Sequence, residues 1–463
     1  MLLTVPVAIY FGEDTLFGIL MACLIHLVVG GGGFLMTRTA DGKSLKKRDG
    51  FIVVALGWTV MSLFGSFPYM LTESIPSFTN AFFETISGFT TTGASILDNI
   101  EAQPRSILLW RSLTQWIGGM GIIVLAVAIL PILGIGSVQL FSAEAPGLKP
   151  DKITPRIGDT AKRLWAIYLG LTLTETALLY VGGMGLFDAL NHSLTTVSTG
   201  GFSTKQASVG HFDSAFIQYV ITAFMLLGGT NFILIYWLVK RRIEKLTGNE
   251  ELRFYLIIVS VLTVIVSGSL LIRGTYGAEE SFRTSAFQVV SMVTTTGYAT
   301  ADYTAWGSGL TMLFFLLLFS GGSAGSTAGG VKMIRHLVLL KNAVTELRRQ
   351  MHTSAIIPIR VNGKAMPFEM TGSVLAFIMM YILVFAIGSI LMAAMSIDFD
   401  TAIGAVATAL GNVGPGIGQV GPSFSFAALP VAAKWELAFL MLVGRLELFT
   451  VILIFTRYFW RKT

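Results

Sequence analysis

Long apolar segments alternate with short polar connections along almost the whole chain. Stretches of spanning length lie near residues 15–36, 51–72, 107–141, 164–181, 215–239, 254–272, 371–395 and 437–456. A helix needs roughly 20 apolar residues to cross a bilayer. Composition agrees, because 53% of the 463 residues are apolar, 13% are charged and the mean hydropathy is +0.72. The pattern predicts an all-α protein that crosses a membrane several times.

Basic and acidic residues occupy alternate connections between the apolar segments. Basic residues concentrate at 38–48, 149–163, 240–253, 335–364 and 457–462, whereas the alternate connections carry mostly acids, with Lys205, Arg273 and Lys434 as exceptions. This is the positive-inside pattern of membrane proteins. It predicts that the basic loops and the C-terminus lie in the cytoplasm. The net charge of +6 then reflects topology, and no nucleic-acid partner is needed to explain it.

Residues that carry enzyme chemistry are sparse. Cys23 is the one cysteine in the sequence, so a disulfide framework and a cysteine metal site are excluded. The five histidines have no spacing that indicates a metal site. The apolar segments contain no evident nucleophile with a base. The sequence therefore argues against an enzyme and predicts no organic cofactor.

Four short glycine-bearing segments recur along the chain. Residues 90–94 read TTTGA, 198–202 read STGGF, 294–298 read TTTGY and 411–415 read GNVGP. Their shared glycines are Gly93, Gly201, Gly297 and Gly414, separated by 108, 96 and 117 residues. Each lies 14 or 15 residues after a phenylalanine that opens a moderately apolar stretch: Phe78, Phe187, Phe282 and Phe399. A dozen helical residues span only about 18 Å, so each stretch enters the bilayer without crossing it.

The recurrence predicts four copies of one unit, each a membrane helix, a half-helix, a polar loop and a second membrane helix. The acidic flanks place the loops at the outer face. The predicted boundaries are an N-terminal helical extension at 1–48 and pore repeats at 49–145, 146–247, 248–350 and 351–463. Residues 1–11 are apolar but too short to span, so the extension is expected to be a truncated hairpin. Coincidence among Thr- and Gly-rich loops is the alternative, which four segments in register disfavour.

These loops have the composition of a potassium filter. Such filters present backbone carbonyls from four loops in place of the hydration shell, and non-helical backbone is tolerated at membrane depth where it lines a cavity. Glycine supplies the unusual backbone angles, and threonine adds hydroxyl oxygens. The absence of carboxylates from the loops argues against an acidic calcium or sodium filter. The predicted filter residues are Thr91, Thr92, Gly93, Thr199, Gly200, Gly201, Thr295, Thr296, Gly297, Asn412, Val413 and Gly414. Because the loops differ and none has the second glycine of a TVGYG filter, we expect weaker discrimination between potassium and similar monovalent ions.

Further segments accompany the four loops: Arg48-Asp49-Gly50, the run GGMGIIVLAV at 118–127, and Gly444-Arg445-Leu446-Glu447. Together they resemble the Trk/Ktr/HKT potassium transporter superfamily, and within it the bacterial TrkH-type uptake subunits, over essentially the whole chain. The resemblance implies potassium uptake through a gated pore in the inner membrane. It also implies a homodimer with one pore per protomer and a cytosolic ring of TrkA-type nucleotide-binding regulatory subunits. Sodium- or proton-coupled potassium symport is the alternative function.

A gate is expected in the third repeat, where residues 320–330 are almost all Gly, Ala, Ser or Thr. Such a run is a poor helix former and breaks a spanning segment. A close-packing seam of small residues is the alternative. The resemblance implies an intramembrane loop beneath the filter, with Arg445 facing the ion path; a structural contact of Arg445 with Glu447 or a carbonyl is its alternative. Lys332 either neutralises carbonyls or extends to the cytoplasm. The predicted gate residues are Gly321, Gly322, Gly325, Gly329, Gly330, Lys332 and Arg445.

Overall fold

The computed structural model describes residues 1–39, 47–124, 157–352, 354–355 and 357–461. The predicted repeat boundary at 145/146 and the basic residues at 149–156 lie outside these ranges. Five described helices are long and apolar enough to span a membrane: Leu16–Thr37, Arg48–Leu71, Thr160–Val181, Glu250–Ile272 and Phe368–Ala394. Two bent helix pairs also qualify, which gives up to seven spans within the described ranges. The chain is a membrane-embedded helical protein, and the predicted fold class is confirmed.

The described parts of the N-terminal extension and the first repeat contain six α-helices. These are α1 (Val5–Tyr10), α2 (Leu16–Thr37), α3 (Lys47–Gly65), α4 (Phe67–Leu71), the half-helix α5 (Phe78–Phe89) and α6 (Arg105–Val124). Between α1 and α2, the Glu13 carboxylate accepts hydrogen bonds from the backbone N–H groups of Arg105 (2.6 Å) and Ser106 (3.2 Å). These are free donors at the start of α6, where a carboxylate is stabilising. Glu13 thereby fastens the extension to the first repeat.

The second repeat contains α7 (Ile157–Val181), the half-helix α8 (Leu186–Val197), α9 (Ala215–Gly228), α10 (Phe232–Val239) and α11 (Glu244–Thr247). The stretch at 215–239, which the hydropathy pattern suggests to be one straight span, is bent by 110° between α9 and α10. Asn231 caps the second piece, since its side chain accepts a hydrogen bond from the N–H of Ile233. The cap satisfies a backbone donor that the break exposes.

The third repeat contains α12 (Glu250–Ile272), the half-helix α13 (Ala278–Val293), α14 (Ser308–Leu317) and α15 (Met333–Met351). The half-helix begins four residues before the predicted Phe282, because Gly277 starts it and Glu279 and Glu280 favour the first turn. Between α14 and α15 the chain leaves helical geometry, as the small-residue run at 320–330 predicts. We call residues 320–330 the intramembrane loop.

The fourth repeat opens with a two-stranded hairpin, β1 (Arg360–Val361) antiparallel to β2 (Lys364–Ala365). It continues with α16 (Phe368–Ala394), the half-helix α17 (Phe399–Gly411), α18 (Val431–Arg445), α19 (Phe449–Ile452) and α20 (Arg457–Trp460). The apolar stretch at 437–456, which the hydropathy pattern suggests to be one continuous helix, is broken, because the pair Val431–Arg445 and Phe449–Phe455 is bent by 111°. Glu447 and Leu448, with φ of 59° and 40°, form the bend.

The half-helices occupy the centre of the protein and the spanning helices surround them. In α17, ten of thirteen residues are buried, whereas only 22% of the apolar window of α16 is buried inside the chain. The half-helix α5 is likewise buried continuously from Ala81 to Phe89. A helix covered on all sides by protein need not contact lipid. This arrangement delivers the four glycine-bearing loops to the middle of the molecule.

Candidate permeation site

Each half-helix ends in the same turn. The residue after the last helical turn has a left-handed backbone, with φ of 52° at Thr91, 52° at Thr199, 56° at Thr295 and 54° at Asn412. In the first loop the N–H of Thr92 donates to the carbonyl of Ser87 at 2.8 Å, and the other loops repeat this bond. It is the hydrogen bond of a Schellman cap, here formed without glycine at the left-handed position. A threonine in this conformation is strained, and such strain is concentrated at functional sites.

A second left-handed residue follows two positions later in every loop. It is always the shared glycine, with φ of 82° at Gly93, 79° at Gly201, 78° at Gly297 and 108° at Gly414. The residue between the two has an ordinary negative φ. Glycine accepts this conformation without a Cβ penalty. The four loops, which we call pore loops 1 to 4 (90–94, 198–202, 294–298 and 411–415), therefore share one backbone path.

The pore loops meet in a closed ring. A Cβ placed on Gly93 would lie 2.2 Å from the carbonyl oxygen of Gly200, in the next loop. The other contacts continue in order: Gly201 to the Thr296 oxygen (1.9 Å), Gly297 to the Val413 oxygen (1.9 Å) and Gly414 to the Thr92 oxygen (2.8 Å). The sequence of contacts from loop 1 to 2, 3, 4 and back to 1 requires four loops around one axis. All twelve predicted filter residues belong to this assembly.

The central residue of each loop thus directs its carbonyl oxygen to the seam with a neighbouring loop. These residues are Thr92, Gly200, Thr296 and Val413. Asn412 closes the seam between loops 4 and 1, because its Nδ2 donates to Thr92 Oγ1 at 3.0 Å and to the Met441 carbonyl at 2.9 Å. Backbone carbonyl oxygens and hydroxyl oxygens are the ligands that replace the water around a monovalent cation. No carboxylate lies within these loops.

A buried ion pair supports pore loops 1 and 2. Arg111 Nε lies 2.8 Å from Glu84 Oε1, and both side chains are at most 1% exposed. Glu84 Oε2 accepts the N–H of Ile96 at 2.9 Å, just after loop 1. Arg111 Nη1 donates to the Ser203 carbonyl at 3.1 Å, just after loop 2. Arg111 is not among the residues predicted from the sequence, although a charge inside an apolar helix is a signal of function or of a specific partner.

The intramembrane loop is fixed to the break in the second repeat. The N–H of Ser323 donates to the Gly229 carbonyl at 2.8 Å, and the N–H of Phe232 donates to the Gly325 carbonyl at 3.1 Å. Gly322 packs so closely that a Cβ on it would lie 2.6 Å from the Gly229 oxygen. Two interrupted helices therefore satisfy each other's backbone groups, as membrane depth requires.

Glycines give the loop its compact path. Gly325 and Gly330 have φ of 73° and 61°. A Cβ on Gly321 would lie 2.2 Å from the carbonyl oxygen of Gly329, across the loop. The predicted small residues are therefore needed for a folded loop, and the run is more than a helix-packing seam.

The same loop lies directly against the pore loops. Thr199 Oγ1 donates to Thr327 Oγ1 at 3.2 Å, and the N–H of Gly329 donates to Thr295 Oγ1 at 2.7 Å. A Cβ on Gly329 would also lie 2.7 Å from the Gly411 carbonyl oxygen. The loop thus contacts pore loops 2, 3 and 4 at their left-handed ends.

Two cationic side chains hold carbonyls of the intramembrane loop. Lys332, 7% exposed, donates from Nζ to the Ala328 carbonyl, so it neutralises the loop instead of extending to the cytoplasm. Arg445 is 2% exposed and donates from Nη1 to the Thr327 carbonyl at 2.7 Å. Its Nη2 donates to the Gly118 carbonyl of α6 at 3.3 Å. Arg445 therefore bridges the fourth repeat, the intramembrane loop and the first repeat.

Glu447, two residues after Arg445, has a different partner. Its Oε2 lies 2.9 Å from Nη2 of Arg335 on α15. The Arg335 guanidinium also lies 3.8 Å from the centre of the Phe377 ring. The bend after α18 separates Arg445 from Glu447, and the Arg445–Glu447 contact is not formed. The carbonyl contact, the other structural alternative for Arg445, is formed with Thr327 and Gly118. Arg445 and Glu447, on the two sides of the bend, instead bind the intramembrane loop and α15, the helix that follows that loop.

Comparison with known proteins identifies relatives over nearly the whole chain. Residues 19–461 match the TrkH family model, described as a cation transport protein. The Trk system potassium uptake protein TrkH of Halomonas elongata is 42% identical over 424 residues, covering 91% of this chain and 87% of that protein. TrkG of Escherichia coli K12 is 38% identical over 465 residues, covering 100% and 95%. The crystal structure of the potassium transporter TrkH from Vibrio parahaemolyticus superposes with a TM-score of 0.91 at 37% identity, covering 99% of this chain and 96% of that chain.

Proposed function

Because the chain belongs to the TrkH family of cation transport proteins, we propose that it takes up potassium through a gated, potassium-selective pore. Relatives about 40% identical over most of the chain are named potassium uptake proteins. They are transporters and not enzymes, and the same holds for this chain. The twelve filter residues predicted from the sequence, three in each pore loop, form the proposed filter. Potassium is the transported ion.

The closed ring of four pore loops carries this proposal. An ion that enters a narrow ring must lose water, and a ring of fixed carbonyl oxygens compensates for that loss. The half-helices direct their C-terminal, partially negative ends to the same centre, which favours a cation. Neither argument needs a carboxylate, and the loops contain none. The chemistry therefore suits a monovalent cation better than a divalent one.

The intramembrane loop is the proposed gate. Its contacts with Thr199, Thr295 and Gly411 support an obstruction at the inner end of the pore loops. The guanidinium of Arg445 adds an electrostatic barrier, because a fixed positive charge in a medium of low dielectric constant repels a passing cation. Opening requires the loop to leave the axis, and the hydrogen bond of Arg445 to Thr327 opposes that movement.

The cellular setting follows from the family and from the charge pattern. We infer residence in the inner membrane with a cytoplasmic C-terminus, a homodimer, and regulation by cytosolic TrkA-type nucleotide-binding subunits. The printed name of the relatives, Trk system, supports a multi-component assembly. The basic residues near 335–364 are the proposed cytoplasmic face.

Flux measurements test the proposal. The purified chain in liposomes should take up radioactive rubidium, and unlabelled potassium should compete much more strongly than sodium. Equal competition by sodium and potassium would refute selectivity. Current–voltage curves at varied sodium and proton gradients separate the pore from the coupled symporter. A reversal potential that follows potassium alone excludes obligatory coupling, whereas one that moves with sodium or protons would favour symport.

A further inference from the structure

The central position of pore loop 2 lacks a side chain. Loops 1, 3 and 4 place Thr92, Thr296 and Val413 at this position, and loop 2 places Gly200 there. Gly200 is followed by the shared Gly201, so loop 2 has two glycines in succession. Glycine loses more backbone freedom on ordering than any other residue. Loop 2 is therefore the member of the ring that depends most on outside support to keep its shape.

Gln115 of α6 occupies the space that this missing side chain leaves. A Cβ on Gly200 would lie 2.3 Å from Cδ of Gln115 and 2.4 Å from its Oε1. The Gln115 side chain is completely buried. It comes from the first repeat, so the first repeat supplies the side chain that the second repeat does not have. A larger residue at position 200 is compatible with the structure only if Gln115 is shortened.

The amide of Gln115 binds loop 2 at two points. Its Nε2 donates to the Gly200 carbonyl at 2.6 Å, and its Oε1 accepts the N–H of Phe202 at 3.0 Å. The two bonds enclose Gly201, the shared glycine of the loop. On the opposite side, Gly93 of loop 1 approaches the same Gly200 oxygen. Gln115 therefore fixes the position of one of the four carbonyls in the ring.

A polar residue at this position distinguishes the first repeat from the second and the fourth. Gly118, Gly228 and Gly444 each pack on the end of the half-helix in their own repeat, since a Cβ on them would approach the carbonyls of Phe89 (1.9 Å), Val197 (3.2 Å) and Leu410 (2.1 Å). Three residues before these glycines stand Gln115, Met225 and Met441. Both methionines are buried. Burying an amide costs free energy unless it is hydrogen-bonded, and Gln115 uses both of its polar atoms on loop 2.

We propose that Gln115 is a positioning residue that sets ion selectivity by holding the Gly200 carbonyl in the ring. This inference rests on the proposed function, a potassium-selective pore. The ring discriminates between ions through the distance at which its oxygens are held. When the Gln115 amide is absent, two adjacent glycines leave the Gly200 oxygen free to move toward a smaller ion. Sodium then passes, while the other three loops keep the pathway intact.

Rubidium uptake with sodium competition tests Gln115 in full-length protein reconstituted in liposomes. Gln115→Ala and the similarly sized Gln115→Met should retain uptake but increase sodium competition about tenfold, as expected from two lost hydrogen bonds. Gln218→Met is the matched control. Gln218 is a buried glutamine of α9 whose Nε2 bonds the Phe212 carbonyl, outside the pore loops. It should keep the wild-type ratio of sodium to potassium competition.

A paired substitution tests whether the two positions share one space. Gly200→Thr alone should abolish uptake, because its Cβ collides with Gln115. Gly200→Thr combined with Gln115→Ala should recover it, with a threonine in loop 2 as in loops 1 and 3. An unchanged ion ratio in folded Gln115→Ala and Gln115→Met would overturn the inference while leaving the pore assignment intact. A wild-type protein that does not prefer potassium would instead overturn the proposed function, and this inference with it.

Discussion

The guanidinium of Arg445 and the carbonyl of Thr327 join the last repeat to the intramembrane loop, with Nη1 and the oxygen 2.7 Å apart. The contact depends on the end of α18 at Arg445, where the chain bends by 111° and the side chain reaches the intramembrane loop. Thr327 in turn receives the hydroxyl of Thr199 from pore loop 2. One chain of contacts thus connects Arg445 and the intramembrane loop, the proposed gate, with pore loop 2 of the proposed filter.

Arg445→Ala should raise basal rubidium uptake in the absence of any regulatory subunit, because it removes both the hydrogen bond to Thr327 and the positive charge on the pathway. A hydrogen bond to a charged group contributes about 1.5–3 kcal/mol. The equilibrium constant that favours the closed state over the open state should therefore fall roughly tenfold or more. Arg445→Lys keeps the charge and should give a smaller increase. Arg163→Ala, an exposed arginine bonded to Tyr236, is the control. Uptake equal to wild type in Arg445→Ala would restrict Arg445 to a structural role.

Removal of residues 324–326 from the intramembrane loop should also raise basal uptake. The deletion shortens the path between Gly322 and Gly329, so Gly329 can no longer reach Thr295 Oγ1. The protein should elute from size-exclusion chromatography as the wild type does, because the pore loops keep their own caps. A shortened protein that elutes normally but transports no faster than wild type would contradict the gate assignment.

Gly201→Ser and Gly297→Ser should each allow sodium to compete with potassium. A Cβ at either position lies 1.9 Å from a carbonyl oxygen of the next loop, and the positive φ strains any side chain. The ring must therefore widen or distort. Gly268→Ser provides the control, since a Cβ on this glycine of α12 has no atom within 4 Å. The prediction fails if both pore-loop variants keep the wild-type sodium-to-potassium permeability ratio.

Glu84→Ala should destabilise the protein strongly, because Arg111 then remains buried without its carboxylate. Breaking a buried pair by removing one partner typically costs about 3–5 kcal/mol. Thermal unfolding followed by loss of the monodisperse peak in detergent measures the effect. Glu279→Ala removes the partner of Arg283 in a pair whose carboxylate side chain is 59% exposed, and its unfolding temperature should stay close to wild type. Similar stability of the two variants would show that the Glu84–Arg111 pair does not anchor the loops.

The sequence was sufficient to predict the pore loops because their turn is local. The turn needs a left-handed residue, one intervening residue and a glycine. This leaves a recurring pattern of Thr or Asn and Gly directly after the end of each half-helix. The spacing after Phe78 and Phe399 is identical, and both residues do begin half-helices. The small-residue run at 320–330 likewise predicts a break in the helix, since so many glycines disfavour helical structure.

Features that depend on distant partners were not predictable. The apolar segments at 215–239 and 437–456 have the hydropathy of continuous spans although they contain Gly228-Gly229 and Gly444-Arg445. A bend at such a position depends on partners in other repeats that satisfy the broken backbone. The partner of Glu447 is Arg335, 112 residues away in the chain. Gln115 looked like an ordinary polar residue, and its role depends on the absence of a side chain at Gly200. Pairing across repeats is a three-dimensional property that hydropathy and spacing do not contain.

The four pore loops belong to one polypeptide, and this has an evolutionary consequence. A channel assembled from identical subunits repeats every substitution in all four quadrants of its pore. Here a change in one gene alters one quadrant and leaves three untouched. Gly200 in one quadrant is thus matched by a single glutamine, Gln115, from a neighbouring quadrant, and the four quadrants of one undivided chain are free to diverge independently.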